Sequence, residues 1–190
     1  DDANLSGKLG HPKKFEIPVK YIGALSRLEQ KETASSYDIM VLLSGPEPQR
    51  TELEEILMHE LKHYKGQVLF VRGVVEAEQK VTRKEQVKIV NFMETEDLQN
   101  AICSSDLVIC RSGYTTIMDL FKLGKKAFFI PTPGQTEQEY LAKRLHSMGI
   151  VPYKDQEKFS LKDLSKVKVF TGFEPLLNQR RFGEGSFGEL

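Results

Sequence analysis

The sequence predicts an α/β protein: a doubly wound, mostly parallel sheet of about six strands with helices on both faces. Three observations carry this reading. Short apolar runs recur along the chain, and they are near-continuous instead of alternating, as strands buried on both faces are. Helix-length segments with one apolar face separate them. The resulting strand–helix–strand repeat is the pattern of right-handed crossovers between parallel strands.

Taken in order, Val19 to Gly23 reads as a short entering strand. The main runs follow at Asp38 to Leu43, Gln67 to Val71, Val87 to Phe92, Asp106 to Cys110, Ala127 to Ile130 and Ile150 to Tyr153. Between them, Leu53, Ile56, Leu57, Leu61 and Tyr64 recur at helical spacing, as do Leu98, Ala101 and Ile102. Ile117, Leu120 and Phe121 do the same, and so do Tyr140, Leu141, Leu145 and Met148. The pattern weakens from Glu157, where Leu161 to Val167 predicts a short helix and Arg180 to Leu190 a glycine-rich tail. The expected organisation is a linker or the end of a preceding domain over residues 1–20, one domain over 21–170, and a tail over 171–190.

Composition narrows the function. The 27 basic and 27 acidic residues cancel, and no Lys/Arg stripe is interleaved with aromatics, which argues against nucleic acid as a partner. Cys103 and Cys110 both lie in apolar surroundings, as buried thiols of a reducing compartment do. No apolar run approaches the ~20 residues that cross a bilayer, so a cytoplasmic location is expected.

In an open parallel sheet, ligands bind beyond the carboxyl ends of the strands, so the loops after the strands are the ones to read. The first, Ser44-Gly45-Pro46-Glu47-Pro48, lacks the G-x-G-x-x-G pattern of dinucleotide sites. After Cys110 comes Arg111-Ser112-Gly113-Tyr114-Thr115-Thr116, running straight into a helix. Gly113 permits close approach of a ligand to the backbone, and the amides of Gly113 to Thr116, with the Ser112 and Thr115 hydroxyls, could cradle a diphosphate at the positive helix end. A serine cap with a glycine turn would explain the same residues. Asp119, on an otherwise apolar stretch, could accept both hydroxyls of a ribose or be a solvated helix residue. The strand at 127–130 ends in a turn stiffened by Pro131, Pro133 and Gly134. Gln138 and Glu139 then open a helix, as partners for sugar hydroxyls or simply as a polar helix start.

Taken together, the Arg-Ser-Gly turn, the acidic residue in the following helix, the strand ending in Pro and the polar pair before Tyr140 resemble the C-terminal domain of glycosyltransferase family 28. The resemblance covers about residues 37–152, with its core at Asn91 to Tyr140. It implies the nucleotide-sugar-binding half of a glycosyltransferase built from two Rossmann-like domains. Ser112, Gly113, Tyr114, Thr115 and Thr116 would line the donor diphosphate, with Ser44 and Gly45 contributing from the first loop. Met93 would read the uracil edge with its backbone, Asp119 would hold the ribose in place of the family's Glu, and Gln138 and Glu139 would contact the sugar in place of a Gln-Gln pair. The implied donor is a UDP-sugar, with UDP-N-acetylglucosamine foremost, and the implied transfer is inverting and metal-independent, with no cofactor. The base and the site for an unknown acceptor would lie in an N-terminal domain outside these residues, which would also carry any peripheral membrane association. No catalytic residue and no metal ligand is therefore expected in this chain, which should bind donor without turning it over.

Other readings stand beside this one. A nucleotide-sugar epimerase of the same architecture would use the same donor site, and so would a non-catalytic UDP-sugar-binding subunit. His59-Glu60-Leu61-Lys62-His63 is a literal H-E-x-x-H, the zinc-protease pattern in which two histidines one helical turn apart bind metal. No third ligand follows in a matching helix, and the apolar face of this one leaves both histidines on its flank.

Overall fold

A computed structural model describes residues 4–10, 18 and 23–176. Its strands are β1 (Tyr37–Leu42), β2 (Val68–Val71), β3 (Val81–Lys84), β4 (Val87–Val90), β5 (Ser105–Cys110) and β6 (Ala127–Phe129). Its α-helices are α1 (Gln49–Leu61), α2 (Thr95–Cys103), α3 (Tyr114–Lys122) and α4 (Thr136–Ser147), followed by 3-10 turns at Gln156–Lys158 and Leu161–Val169. The six strands form one sheet in the order β3-β4-β2-β1-β5-β6, with every pairing parallel except that of β3 with β4. From β1 the chain winds outward through β2 to β4, then crosses back to β5 on the other side of β1. The order reverses between β1 and β5, the switch point at which open sheets of this kind leave a crevice beyond the carboxyl ends of the strands.

The period-2 geometry of the strands divides the core into two layers. Ile39, Val41, Phe70, Ile109 and Phe128 face Leu53, Leu57 and Leu61 of α1. Met40, Leu69, Val108, Cys110 and Phe129 face the other way, onto Ile102 of α2, Ile117 and Leu120 of α3, and Leu141 and Leu145 of α4. Both faces are covered, which is why the strands read as unbroken apolar runs. The second layer also takes in Leu5 and Phe173, from either side of residues 21–170. The backbone N–H of Phe173 donates to Lys125 O at 3.3 Å, and its ring packs edge-on to Phe121.

The doubly wound, mostly parallel sheet of six strands is as expected, but one strand is not. β3 has all four residues exposed, so it buries no apolar face that a pattern could reveal. It is held by a two-residue turn, with Glu85 at φ 53, that pairs Lys84 with Val87. Conversely, Ile150 to Tyr153 is not a strand. The N–H groups of Ile150 and Val151 bond back to Leu145 O, Pro152 has none to offer, and a single bridge joins Tyr153 to Phe129. The apolar character of Ile150 and Val151 reflects burial against α4 instead. The expected entering strand at Val19 to Gly23, apart from Gly23, and the tail at Arg180 to Leu190 lie outside the described residues.

Candidate functional site

Arg111 closes the floor of the crevice. It directly follows β5 and is 1% exposed, one of the largest fully buried side chains. Its Nη1 donates to Ile130 O at 3.1 Å and Pro131 O at 3.2 Å, and its Nη2 to Gln49 O at 2.8 Å and Gln156 Oε1 at 2.7 Å. One guanidinium thus ties together the loop after β6, the start of α1 and the turn at Gln156. Burial pushes its pKa down to about 10, opposed by the charge of Glu52. The cation is retained at neutral pH, beneath the loops that would meet a ligand.

Ser112, also fully buried, donates from its hydroxyl to Gln138 O at 2.8 Å, which fixes the start of α4 against the start of α3. That hydroxyl is committed to the scaffold. Gly113 caps α3 with φ −71 and ψ 147, an ordinary extended conformation. Its lack of a side chain matters for space: a Cβ there would meet nothing within 4 Å. No side chain caps α3 and no acidic residue lies in its first turn. The first amide to enter the ladder is that of Ile117, bonded to Gly113 O at 3.0 Å. The amides of Tyr114, Thr115 and Thr116 precede it at the positive end of the helix, and Tyr114 and Thr115 are exposed.

Across the crevice, Ser44 and Gly45 are exposed at the end of β1. Gly45, at φ +112, is a position where only glycine is comfortable, and a Cβ would find only Thr132 Oγ1, at 3.8 Å. The rest of this loop is locked by charge. Arg50 donates to Glu47 Oε1 at 2.6 Å and Glu54 Oε2 at 2.7 Å, and Arg72 Nε donates to Glu54 Oε1 at 2.6 Å. Glu47 Oε2 also accepts the N–H of Thr51 at 3.2 Å, and its carboxyl is held below the usual range, chiefly by the Thr51 side chain.

The remaining residues of interest sit around these two loops. Met93, just past β4, is half-buried against the α2–α3 layer. Asp119 is half-buried on α3, four residues beyond Thr115 and hence on the same helical face. Its Oδ1 accepts from Ser26 Oγ at 2.6 Å. Gln138 and Glu139 turn back on their own loop: Gln138 Oε1 accepts from Thr132 N at 2.9 Å, and Glu139 Oε1 from Gly134 N at 3.1 Å. Two residues at this site were not expected from the sequence. Gln156, which holds Arg111, sits in a polar stretch with no signal, and Ser26 lies far from any motif.

The H-E-x-x-H stretch spans the end of α1. α1 ends at Leu61, so His63 lies in the turn just beyond the helix. His59 and His63 are exposed, and Glu60 Oε2 accepts the N–H of Leu161 at 2.7 Å, capping the Leu161–Val169 turn. Among the described residues no three His, Cys, Asp or Glu side chains are grouped to hold a metal ion, and no helix is long and apolar enough to cross a membrane.

Comparison with known proteins identifies the family. The sequence pattern of the glycosyltransferase family 28 C-terminal domain matches residues 49–169, and the chain belongs to that family. It is 24% identical over 180 residues to the UDP-N-acetylglucosamine–N-acetylmuramyl-(pentapeptide) pyrophosphoryl-undecaprenol N-acetylglucosamine transferase of Haemophilus ducreyi, covering 91% of this chain and 48% of that protein. The chain thus spans about half the length of this relative. Among solved structures, Acinetobacter baumannii MurG superposes with a TM-score of 0.54 at 20% identity over 79% of this chain and 46% of its own. The glycosyltransferase VinC, solved in complex with dTDP, gives 0.55 at 14% identity over 81% of this chain and 39% of its own. At these identities the two structures speak for the fold.

Proposed function

We propose that this glycosyltransferase family 28 domain binds the nucleotide-sugar donor of an inverting, metal-independent sugar transfer, and that the donor is a UDP-sugar, UDP-N-acetylglucosamine being the first to test. The observation that carries the proposal is the start of α3. It lies at the switch point of the sheet, has neither a capping side chain nor an acidic first-turn residue, and has open space over Gly113. An anion placed there would meet the amides of Tyr114 to Thr116 and the helix dipole, with the buried Arg111 cation beneath. During transfer the same groups would stabilise the charge that develops on the leaving diphosphate, the role a divalent metal fills elsewhere.

The other contacts follow along one path. Thr115 and Asp119 share a face of α3, about 6 Å apart along the axis, so a diphosphate on the first turn would place its ribose near the Asp119 carboxylate. On this reading Met93 would take the base, while Gln138, whose carbonyl holds the Ser112 hydroxyl, and Glu139 would take the sugar. The uridine assignment rests on the relative from Haemophilus ducreyi, whose name specifies a UDP-linked sugar.

Turnover requires a base for the acceptor hydroxyl. The described histidines do not offer one here: His59, His63 and His146 all lie at or beyond the C-terminal ends of α1 and α4, the end of the sheet away from the crevice. We infer that the base and the acceptor site belong to a partner domain, and that these 190 residues bind donor without transferring it. Calorimetry with UDP, UDP-N-acetylglucosamine and dTDP tests the reading. UDP should bind, and Asp119→Ala should weaken it roughly tenfold, the scale of a lost hydrogen bond to a charged group. A chain that binds no nucleoside diphosphate would refute the donor-site assignment, and sugar transfer by the chain alone would refute the missing base.

A further inference from the structure

The segment that precedes β1 meets α3 at Ser26 and α2 at Glu29 and Lys31, and its Ser26 reaches into the proposed donor site. Ser26 Oγ donates to Asp119 Oδ1 at 2.6 Å and accepts from the N–H of Leu28 at 3.0 Å. A hydroxyl carries one proton and a carboxylate only accepts, so the Leu28 bond leaves the Ser26 proton directed at Asp119. The segment is itself anchored. Leu28 is wholly buried in the core layer that contains α2 and α3, and the N–H of Glu29 donates to Gln99 Oε1 at 2.9 Å on α2. The serine is therefore held from below by a core residue and from the side by a helix.

Asp119, by contrast, stands half-buried on a helix flank, where an aspartate can turn about two side-chain bonds. A carboxylate offers about four lone-pair positions. Ser26 uses one of them on Oδ1, fixing the plane of the group and leaving the others available to a vicinal diol. We propose that Ser26 is a positioning residue that sets the Asp119 carboxylate for the 2′- and 3′-hydroxyls of a ribose, and thereby makes the site selective for ribonucleoside over 2′-deoxyribonucleoside diphosphates. This rests on the donor-site reading above and adds to it a selectivity filter assembled from two elements, the segment before β1 and α3. It bears on nucleotide choice because the same fold accommodates dTDP in VinC.

The test is calorimetric titration of the full chain with UDP and with 2′-deoxy-UDP, for wild type, Ser26→Ala and Ser26→Thr. Wild type should prefer UDP by roughly tenfold, the worth of one hydrogen bond to a charged group. Ser26→Ala should lose most of that preference by weakening UDP more than 2′-deoxy-UDP, which has only the 3′-hydroxyl contact to lose, and Ser26→Thr, which keeps the hydroxyl, should retain it. Should the alanine variant fail to fold in a thermal scan, Ser26→Cys, a similar volume with a poor donor, reads the same ratio. An unchanged preference, or an equal loss for both nucleotides, makes Ser26 a structural contact only and overturns the proposal. Wild type that binds both nucleotides equally overturns it while leaving the donor site standing. Wild type that binds neither overturns both.

Discussion

Two helices begin at the crevice, α1 after β1 and α3 after β5, and their starts are built in opposite ways. The start of α1 is satisfied from within. Glu47 accepts the Thr51 amide, Arg50 bridges Glu47 to Glu54, and Glu52 adds an acidic residue to the first turn. The start of α3 has no such supplement, and α2 and α4 resemble α1 in carrying acidic first turns. An N-terminus already neutralised by its own side chains is a scaffold, because an incoming anion would have to displace a bonded carboxylate. One left bare at the positive end of its dipole attracts an anion at no such cost. The two loops differ underneath as well: Arg50 ties its own loop to the Arg72 carbonyl after β2, whereas Arg111 joins the loop after β6, the start of α1 and the turn at Gln156.

The largest effect expected from this contrast is at Arg111. Replacing it by Met strands the buried carbonyls of Ile130 and Pro131 and the buried Gln156 Oε1, at a cost of about 3 to 5 kcal/mol. For a chain of this size that is a fall on the order of 10 °C in Tm, read by calorimetric unfolding. A loss under about 1 kcal/mol would show that the loops hold their places without it.

Next comes Gly113→Asp. The backbone angles there suit any residue and the side chain would enter open space, so the carboxylate could cap α3 itself. Stability should hold or rise by a few tenths of a kcal/mol, while UDP affinity should drop about a hundredfold or more, since the variant supplies internally the anion the ligand would bring. Opposite signs in the two measurements are the signature of a ligand site. If both fall together, the bare start of α3 is a structural feature only.

In the other loop, Arg50→Met should cost about 1 to 2 kcal/mol through the loss of its bonds to Glu47 and Glu54, yet leave UDP affinity within about twofold. A loss of UDP binding as large as that for Gly113→Asp would erase the distinction between the two loops.

How much of this was legible in the sequence depended on how each residue earns its place. Strands covered on both faces leave unbroken apolar runs, so β1, β2, β4, β5 and β6 could be read directly. β3 is an exposed edge whose partner is a neighbouring backbone, and backbone pairing leaves no trace in side-chain pattern. The α3 loop was legible because its chemistry is local, a Gly and a run of amides in sequence. Ser26 was not, since its partner Asp119 is 93 positions away and only folding brings them to 2.6 Å. Gln138 and Glu139 show the converse. Their side chains were expected to face a ligand, but in the structure they also brace the Thr132–Gly134 turn, a use that the same residue types serve equally well.

The smallest prediction concerns the stretch where a local pattern misled. His59, Glu60 and His63 match a metal-binding spacing in sequence, but α1 stops at Leu61, and among the described residues no three His, Cys, Asp or Glu side chains are grouped to hold a metal ion. With the chain turning at Lys62, the residue with a structural task is Glu60, whose carboxylate receives the Leu161 amide and so joins the end of α1 to the 3-10 turn beneath the sheet. Glu60→Ala should therefore cost about 1 kcal/mol, the worth of a lost cap, and leave UDP binding unchanged, because the contact lies at the opposite end of the sheet from the crevice. His59→Ala and His63→Ala, both at exposed positions, should stay within about 0.5 kcal/mol of wild type. Added zinc should not raise the Tm of any of the three variants or of wild type. A zinc-dependent rise that is lost in either histidine variant would restore the metal-site reading and show that α1 extends past Leu61 when metal is bound.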